Sequence, residues 1–290
     1  MSKFQGTKIN PKNFHKSQIK FYVILIIFAV FMVLPLIFIF SQAFKPMDEL
    51  LQFPPKIFVQ KPGLNNFKQL FSNMSNSGIP VTRYIFNSVI TTFFTVLLSV
   101  LISTSAGYAL SKKNFRLKNI IFKINTFSLM FVPVAVAIPR YLIIVKMGMN
   151  DKFIINILPM IAMPVGLFLV KQFIDQIPDS IIEAAKIDGA TDFVIFKNII
   201  IPLARPAIAT VVILSFQSAW NYTEASSLYI NNESIKTFAY FMSTLSTTNN
   251  TVAGLGMAAA ASLIMFIPNL LIFIFTQSKV MNTMAYSGIK

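Results

Sequence analysis

Twenty successive residues, Phe21 to Phe40, carry no charge, and about 20 mainly apolar residues in a helix are what it takes to cross the roughly 30 Å hydrocarbon layer of a bilayer. Five further uncharged or nearly uncharged runs follow: Ile85 to Leu110, Ile124 to Val145 with Arg140 near its far end, Phe153 to Val170, Pro206 to Trp220 and Gly254 to Gln277. In the whole chain 55% of residues are apolar and only 12% charged, against roughly a quarter charged in ordinary globular proteins. The expectation is an all-α integral membrane protein with six transmembrane helices, residues 21–290, behind a basic tail, residues 1–20. A cleaved signal peptide is the rival for the first run, but its apolar length exceeds the roughly 7–15 residues of a signal core. Prolines 35, 159, 164 and 268 are expected to kink their helices, and Pro133 and Pro139 fall inside the third run.

The net charge of +15 would raise nucleic acid binding in a soluble protein. Here Lys and Arg sit in short clusters beside the apolar runs, which fits contact with anionic lipid headgroups and the fixing of topology, with no nucleic acid partner. With the N-terminus inside, sixteen of the 25 basic residues fall on the cytoplasmic side: Lys3, Lys8, Lys12, Lys16 and Lys20 in the tail, Lys112 to Lys123 between the second and third spans, Lys171 to Arg205 between the fourth and fifth, and Lys279 and Lys290. Basic residues near span ends are retained inside, so both termini are expected in the cytoplasm. The two long outside segments, 45–83 and 221–253, are rich in Asn, Ser, Pro and Thr. They read either as docking surfaces for something external or as plain connections, and neither as an independent domain. The chain has no cysteine and one histidine, His15 in the tail. Disulfides and thiolate sites are excluded, and no metal site or catalytic residue is expected.

One segment departs from this pattern. Five of the ten carboxylates (Asp175, Asp179, Glu183, Asp188, Asp192) lie within 18 residues between the fourth and fifth spans. Ser180 and Glu183 match a capping box and Gly189 is a good helix stop, so a short helix is expected from Ile181 to Asp188. Its face would be Ile181, Ala184, Ala185 and Asp188, the alanines admitting close approach of another surface. Thr191 would cap a second short helix ending before Pro202. An amphipathic elbow in the headgroup region and a docking lever for a soluble partner both fit this pattern.

Glu183, Ala184, Ala185, Lys186, Ile187, Asp188, Gly189 and Ala190, followed after eight residues by Ile199, Ile200, Ile201 and Pro202, closely resemble the EAA loop of ABC importer permeases, E-A-A-x-x-x-G, nine residues, then I-x-L-P. Ile201 stands in place of the leucine. Phe67 in the first outside segment, Trp220 with Asn221 at the end of the fifth span, and Ser287, Gly288 and Ile289 extend the resemblance to carbohydrate-type permeases, the smaller maltose-type membrane subunit. Tyr222 and Thr223 depart from that group, which has an acidic residue and an aromatic there.

The resemblance implies a type I ABC importer permease fold with a coupling loop at 175–202. It also implies a second homologous permease subunit, an ABC ATPase dimer docking at Glu183, Ala184, Ala185, Asp188, Gly189, Ala190 and Pro202, and an extracytoplasmic solute-binding protein delivering a sugar or oligosaccharide. No G-x-x-x-x-G-K-[ST] loop occurs, so ATP and magnesium are expected to belong to the ATPase, with no cofactor on this chain and no enzymatic activity of its own. Gln217, Trp220, Asn221 and Glu224 suit a sugar path at the outer end of the fifth span, and suit equally an interfacial aromatic belt with ordinary loop polars. Importers of polyamines, phosphate or amino acids share the loop, and the matching chain ends favour carbohydrate. A channel or ion-coupled transporter would place ionisable groups in mid-membrane, and no span has a carboxylate near its centre.

Overall fold

The computed structural model describes residues 18–72, 78–248 and 252–287, and side chains within these except at 246–248, 252–253 and 278–287. Residues 1–17 of the basic tail, with His15, and Gly288, Ile289 and Lys290, lie outside the described residues, as do the side chains of Lys279 and Ser287. In chain order the α-helices are α1 (Ile19–Phe44), α2 (Met47–Leu50), α3 (Asn65–Ser72), α4 (Val81–Lys112), α5 (Lys118–Ser128), α6 (Ala137–Lys146), α7 (Leu158–Ile161), α8 (Pro164–Asp175), α9 (Asp179–Ile187), α10 (Asp192–Ile195), α11 (Ile201–Leu203), α12 (Arg205–Trp220), α13 (Glu224–Leu228), α14 (Phe238–Thr248) and α15 (Val252–Ser287). Tight 3₁₀ turns occupy Pro133–Val136, Phe153–Asn156 and Glu233–Ile235, and a wide π turn occupies Phe196–Ile200. Among the described residues there is no strand.

Three helices are long and apolar enough to cross a membrane unbroken: α1, α4 and residues 254–277 of α15. The other three expected spans are bent pairs: α5 with 133–146 at 111°, 153–161 with α8 at 40°, and 192–203 with 205–228 at 78°. The prolines take two kinds of position. Pro35 and Pro268 lie inside continuous helices, whereas Pro133, Pro159 and Pro164 stand in the first turns of new ones, where the missing N–H has no partner to lose.

The chain divides into two compact units. One comprises the chain up to Leu70 together with Asn249–Leu263. Its α1 exposes large apolar side chains around its circumference from Ile19 to Phe40, a surface suited to lipid or another apolar protein. The segment after α1 is more organised than its composition suggests. Asn66 Nδ2 donates to the carbonyls of Gln42, Ala43 and Lys45 at 3.2, 3.0 and 2.8 Å, satisfying groups that the end of a helix leaves open. Buried Glu49 accepts from the amides of Gln60 and Lys61 at 3.0 and 2.7 Å.

The second unit, Phe71–Thr248 with Ile264–Lys290, is organised on α4, which packs against α8 and α12. The buried residues of α4 include Thr95, Ser99, Ser103 and Gly107, a four-residue repeat of small side chains that lies along one helix face. A β-carbon at Gly107 would stand 2.9 Å from Val170 Cγ1, and one at Gly166 would stand 3.0 Å from Ser103 Oγ. The two helices thus meet with little side chain between them. We expect Gly107→Ala to destabilise the protein by about 1–3 kcal/mol through overpacking, and Val170→Ala in the same chain to restore part of the loss. Thermal unfolding of the purified protein in detergent measures both.

Candidate functional site

The acidic segment forms a folded shelf. From α8 the chain turns at Ile177 and Pro178 into α9, and Ile174, Ile177, Ile182, Ile195 and Ile200 enter one buried cluster with Val170 and Tyr108. Ala185 and Ala190 pack against that cluster, while Glu183, Ala184, Ile187 and Asp188 are exposed. Of the face expected to meet a partner, Ile181, Ala184 and Asp188 are exposed, and only Ala185 is corrected: it packs inward beside Ile182, so the two alanines of the motif part company. The helix also begins earlier than expected, at Asp179, with Pro178 as N-cap and no side-chain capping hydrogen bond. Ser180 and Glu183 form no capping box, because Ser180 already lies inside the first turn.

The far end of α9 fulfils its expectation closely. Gly189 has φ +81°, the Gly189 amide donates to Lys186 O at 3.0 Å and the Ala190 amide to Ala185 O at 2.9 Å. These paired bonds are those of a Schellman ending, with the αL position taken by glycine. Thr191 then caps α10, its Oγ1 accepting from the Val194 amide at 3.4 Å. The helix does not stop before Pro202. It passes through the π turn 196–200 and reaches Leu203, and this wider turn lies just where a proline two residues on can make no amide bond back.

Three of the five carboxylates hold this shelf to the end of α4. Ser111 Oγ donates to Asp175 Oδ1 at 2.6 Å, and Lys171 Nζ to Asp175 Oδ2 at 2.6 Å. Lys112 Nζ donates to Ile177 O at 2.5 Å and to Asp179 Oδ1 at 2.8 Å, with only 7% of its side chain exposed. Lys113 pairs with Asp192, which holds the Lys113 ammonium above its ordinary pKa range. Sequence reasoning missed these partners, although a Ser-Lys-Lys run at the end of a span, facing a loop with five acids, was the available signal. The other two carboxylates, Glu183 and Asp188, stand exposed beside Ile187 and Phe193, whose relative exposures are 86% and 70%. An apolar and acidic ledge on a fixed backbone can receive a protein partner. Among the described residues no cluster of three His, Asp or Glu is placed to hold a metal.

The four residues named for a solute path do not share one environment. Trp220 is buried at 4% exposure and donates its indole N–H to Met265 O at 3.0 Å, so its ring belongs to the packing. Gln217 and Asn221 are exposed, one turn apart, with Asn221 Nδ2 donating to Gln217 O at 2.8 Å. Glu224 is half-buried and accepts both its bonds of 3.1 Å from Arg140 Nη1, plus 2.7 Å from Tyr229 Oη. Arg140 also borders an apolar cavity of about 310 Å³, lined by Val136, Ile143, Met147, Ile155 and Leu158 among others. The sequence had shown Arg140 and Glu224 separately; nothing local signalled that they meet.

The described residues thus form a helical unit with helices long and apolar enough to cross a membrane and a carboxylate-anchored ledge between bent helix pairs. Residues 99–278 match the family described as binding-protein-dependent transport system inner membrane component, and the chain belongs to that family. It is a multi-pass protein of the cytoplasmic membrane. It is 28% identical over 275 residues to the arabinooligosaccharides transport system permease protein AraQ of Bacillus subtilis, covering 90% of this chain and 93% of that one. It is 26% identical over 276 residues to the inner membrane ABC transporter permease protein YcjP of Escherichia coli, covering 94% and 97%. A crystal structure of a bacterial ABC transporter that imports the acidic polysaccharide alginate contains a chain matching with TM-score 0.78 at 24% identity, over 92% of this chain and 98% of that one. The fold is therefore that of an ABC importer permease.

At Gly189 the space around an added β-carbon is open, so only backbone strain opposes substitution. We expect Gly189→Val to destabilise the shelf by about 1 kcal/mol or more, and Gly189→Asn, which tolerates αL, by less. Limited proteolysis between 179 and 192 in membrane vesicles ranks the two.

Proposed function

We propose that this chain is one of two homologous permease subunits of an ABC importer for a sugar or oligosaccharide, with α9 as the element that an ABC ATPase engages. The observation that carries the reading is the exposed ledge of Glu183, Ala184, Ile187 and Asp188 on a helix whose other face is buried. The oligosaccharide systems of the relatives support the substrate class. Both termini and the shelf lie in the cytoplasm, in agreement with the distribution of Lys and Arg, and the segment 221–248 lies outside, where a solute-binding protein docks.

In this reading closure of the ATPase dimer on ATP displaces α9. The displacement passes through the buried isoleucines and the Lys112 and Lys113 bonds to the spans, which move between inward-facing and outward-facing arrangements. ATP and magnesium act in the ATPase, and this chain supplies path and gate without catalysing a bond change. Ala185, Gly189 and Ala190 give the lever its shape, Glu183, Ala184 and Asp188 its contact surface, and Pro202 marks where the lever meets the fifth span. Gln217 and Asn221 are the residues on α12 and at its end that face the solute path, and Glu224 with Arg140 is a fixed pair beside it. Anionic lipid headgroups neutralise the basic residues flanking the spans.

The test is reconstitution of this chain with its sister permease, ATPase and binding protein in nanodiscs. Binding-protein-stimulated ATP hydrolysis should require the chain, and Ile187→Asp should remove the stimulation while leaving the chain in the membrane at its usual level. Full stimulation with Ile187→Asp would refute docking on this ledge.

A further inference from the structure

Helix α4 is tied to loops at both of its ends. At one end are the bonds from Ser111, Lys112 and Lys113 to Asp175, Ile177, Asp179 and Asp192. At the other, Asn87 Nδ2 donates to Ser234 O at 2.9 Å and to Lys236 O at 2.8 Å, and the Phe238 amide donates to Ser88 Oγ at 2.8 Å. Tyr84 Oη donates to Glu233 Oε2 at 3.0 Å, and Arg83 Nε to Ser234 O at 3.1 Å. Asn87 and Ser88 are buried, so their own bonds are shielded from water and costly to leave unmade.

Segment 233–238 is itself stiff. Lys236 is buried and donates to Glu233 at 2.7 Å and to Tyr240 at 3.2 Å. Asn156 Nδ2 donates to Ile235 O at 3.0 Å, and the Thr237 amide donates to Ser226 Oγ at 3.1 Å.

α4 runs for 32 residues without a proline or a break, and the stretch from Asn87 to Lys112 is a rod of about 38 Å at about 1.5 Å per residue. The other helices that meet the acidic shelf, α8 and the 192–203 segment, belong to bent pairs. A break absorbs displacement by rotation, whereas an unbroken helix passes it on along its axis.

We infer that α4 is the strut that carries the state of the shelf across the membrane to segment 233–238, with Lys112 and Asn87 as the positioning residues at its two ends. The ATPase state is thereby presented on the face where the solute-binding protein docks, and the presence of a binding protein is reported back along the same rod. This rests on the reading of α9 as the ATPase-engaging element.

The experiment is hydrogen–deuterium exchange of the complete complex in nanodiscs, with and without ATP and magnesium. In the unmodified complex, ATP should change exchange at both 179–192 and 232–238. With Asn87→Leu, and independently with Ser88→Ala, the response at 179–192 should persist while that at 232–238 is lost. An unmodified complex that responds at 179–192 but is silent at 232–238 overturns the strut and leaves the docking reading intact, as does a response at 232–238 that survives in both single variants. Silence at 179–192 itself overturns both.

Discussion

The Lys112 ammonium, almost closed off from solvent, joins the carbonyl of Ile177 and the carboxylate of Asp179, and the position of the functional shelf depends on it. Ile177 is the turn before α9 and Asp179 its first residue, so one cation fixes both where the helix starts and which way it points. A charge this enclosed is tolerable only because it is paired and hydrogen-bonded. Lys113 and Ser111 repeat the arrangement toward Asp192 and Asp175. The acidic residues that mark the segment in the sequence thus fall into two groups. Asp175, Asp179 and Asp192 fasten it, while Glu183 and Asp188 remain open for a partner.

A broken helix poses a problem in a bilayer that a straight one avoids, since backbone groups freed at a break have no water to turn to there. At the break between α7 and α8 the carbonyls are met by side chains from other spans: Ser99 Oγ reaches Met160 O and Ile161 O at 3.4 and 3.5 Å, and Asn125 Nδ2 donates to Pro164 O at 3.1 Å. Ser99 belongs to the same small-residue face that lets α4 approach α8. One stripe on α4 thereby serves two purposes, close packing and satisfaction of an opened helix.

Six runs were legible in the sequence because length without charge is a property of the chain in one dimension. The breaks were not, because a proline such as Pro268 continues a helix and Pro164 begins one, and neighbouring elements decide between these outcomes. Gly189 and Thr191 were read correctly, since a left-handed position and a hydroxyl cap are local demands. The place of Ala185 on α9 was misread for the opposite reason. Ile181 and Ile182 both begin a helical apolar pattern, and only the isoleucines at 174, 177 and 195 determine which of them is buried. Likewise Lys112 meets Asp179 across 67 residues and Arg140 meets Glu224 across 84, separations at which no spacing rule operates.

These features bear on how a push on α9 is divided. Because Gly107 and Gly166 admit no side chain between α4 and α8, the two helices cannot easily slide past one another without collision. Because Ser111 and Lys112 bind Asp175 and the Ile177 carbonyl, which close α8, they are also fastened at the end beside the shelf. Displacement of α9 therefore reaches α4 and α8 as a pair. The segment 192–203 is held as well, by the Lys113 bond to Asp192 and by Ile195 and Ile200 in the buried cluster, and the chain bends by 78° only where the next helix begins. In the proposed reading a push on α9 therefore moves α4, α8 and this segment together, and the 78° bend beyond it is where the following helix changes its angle to them.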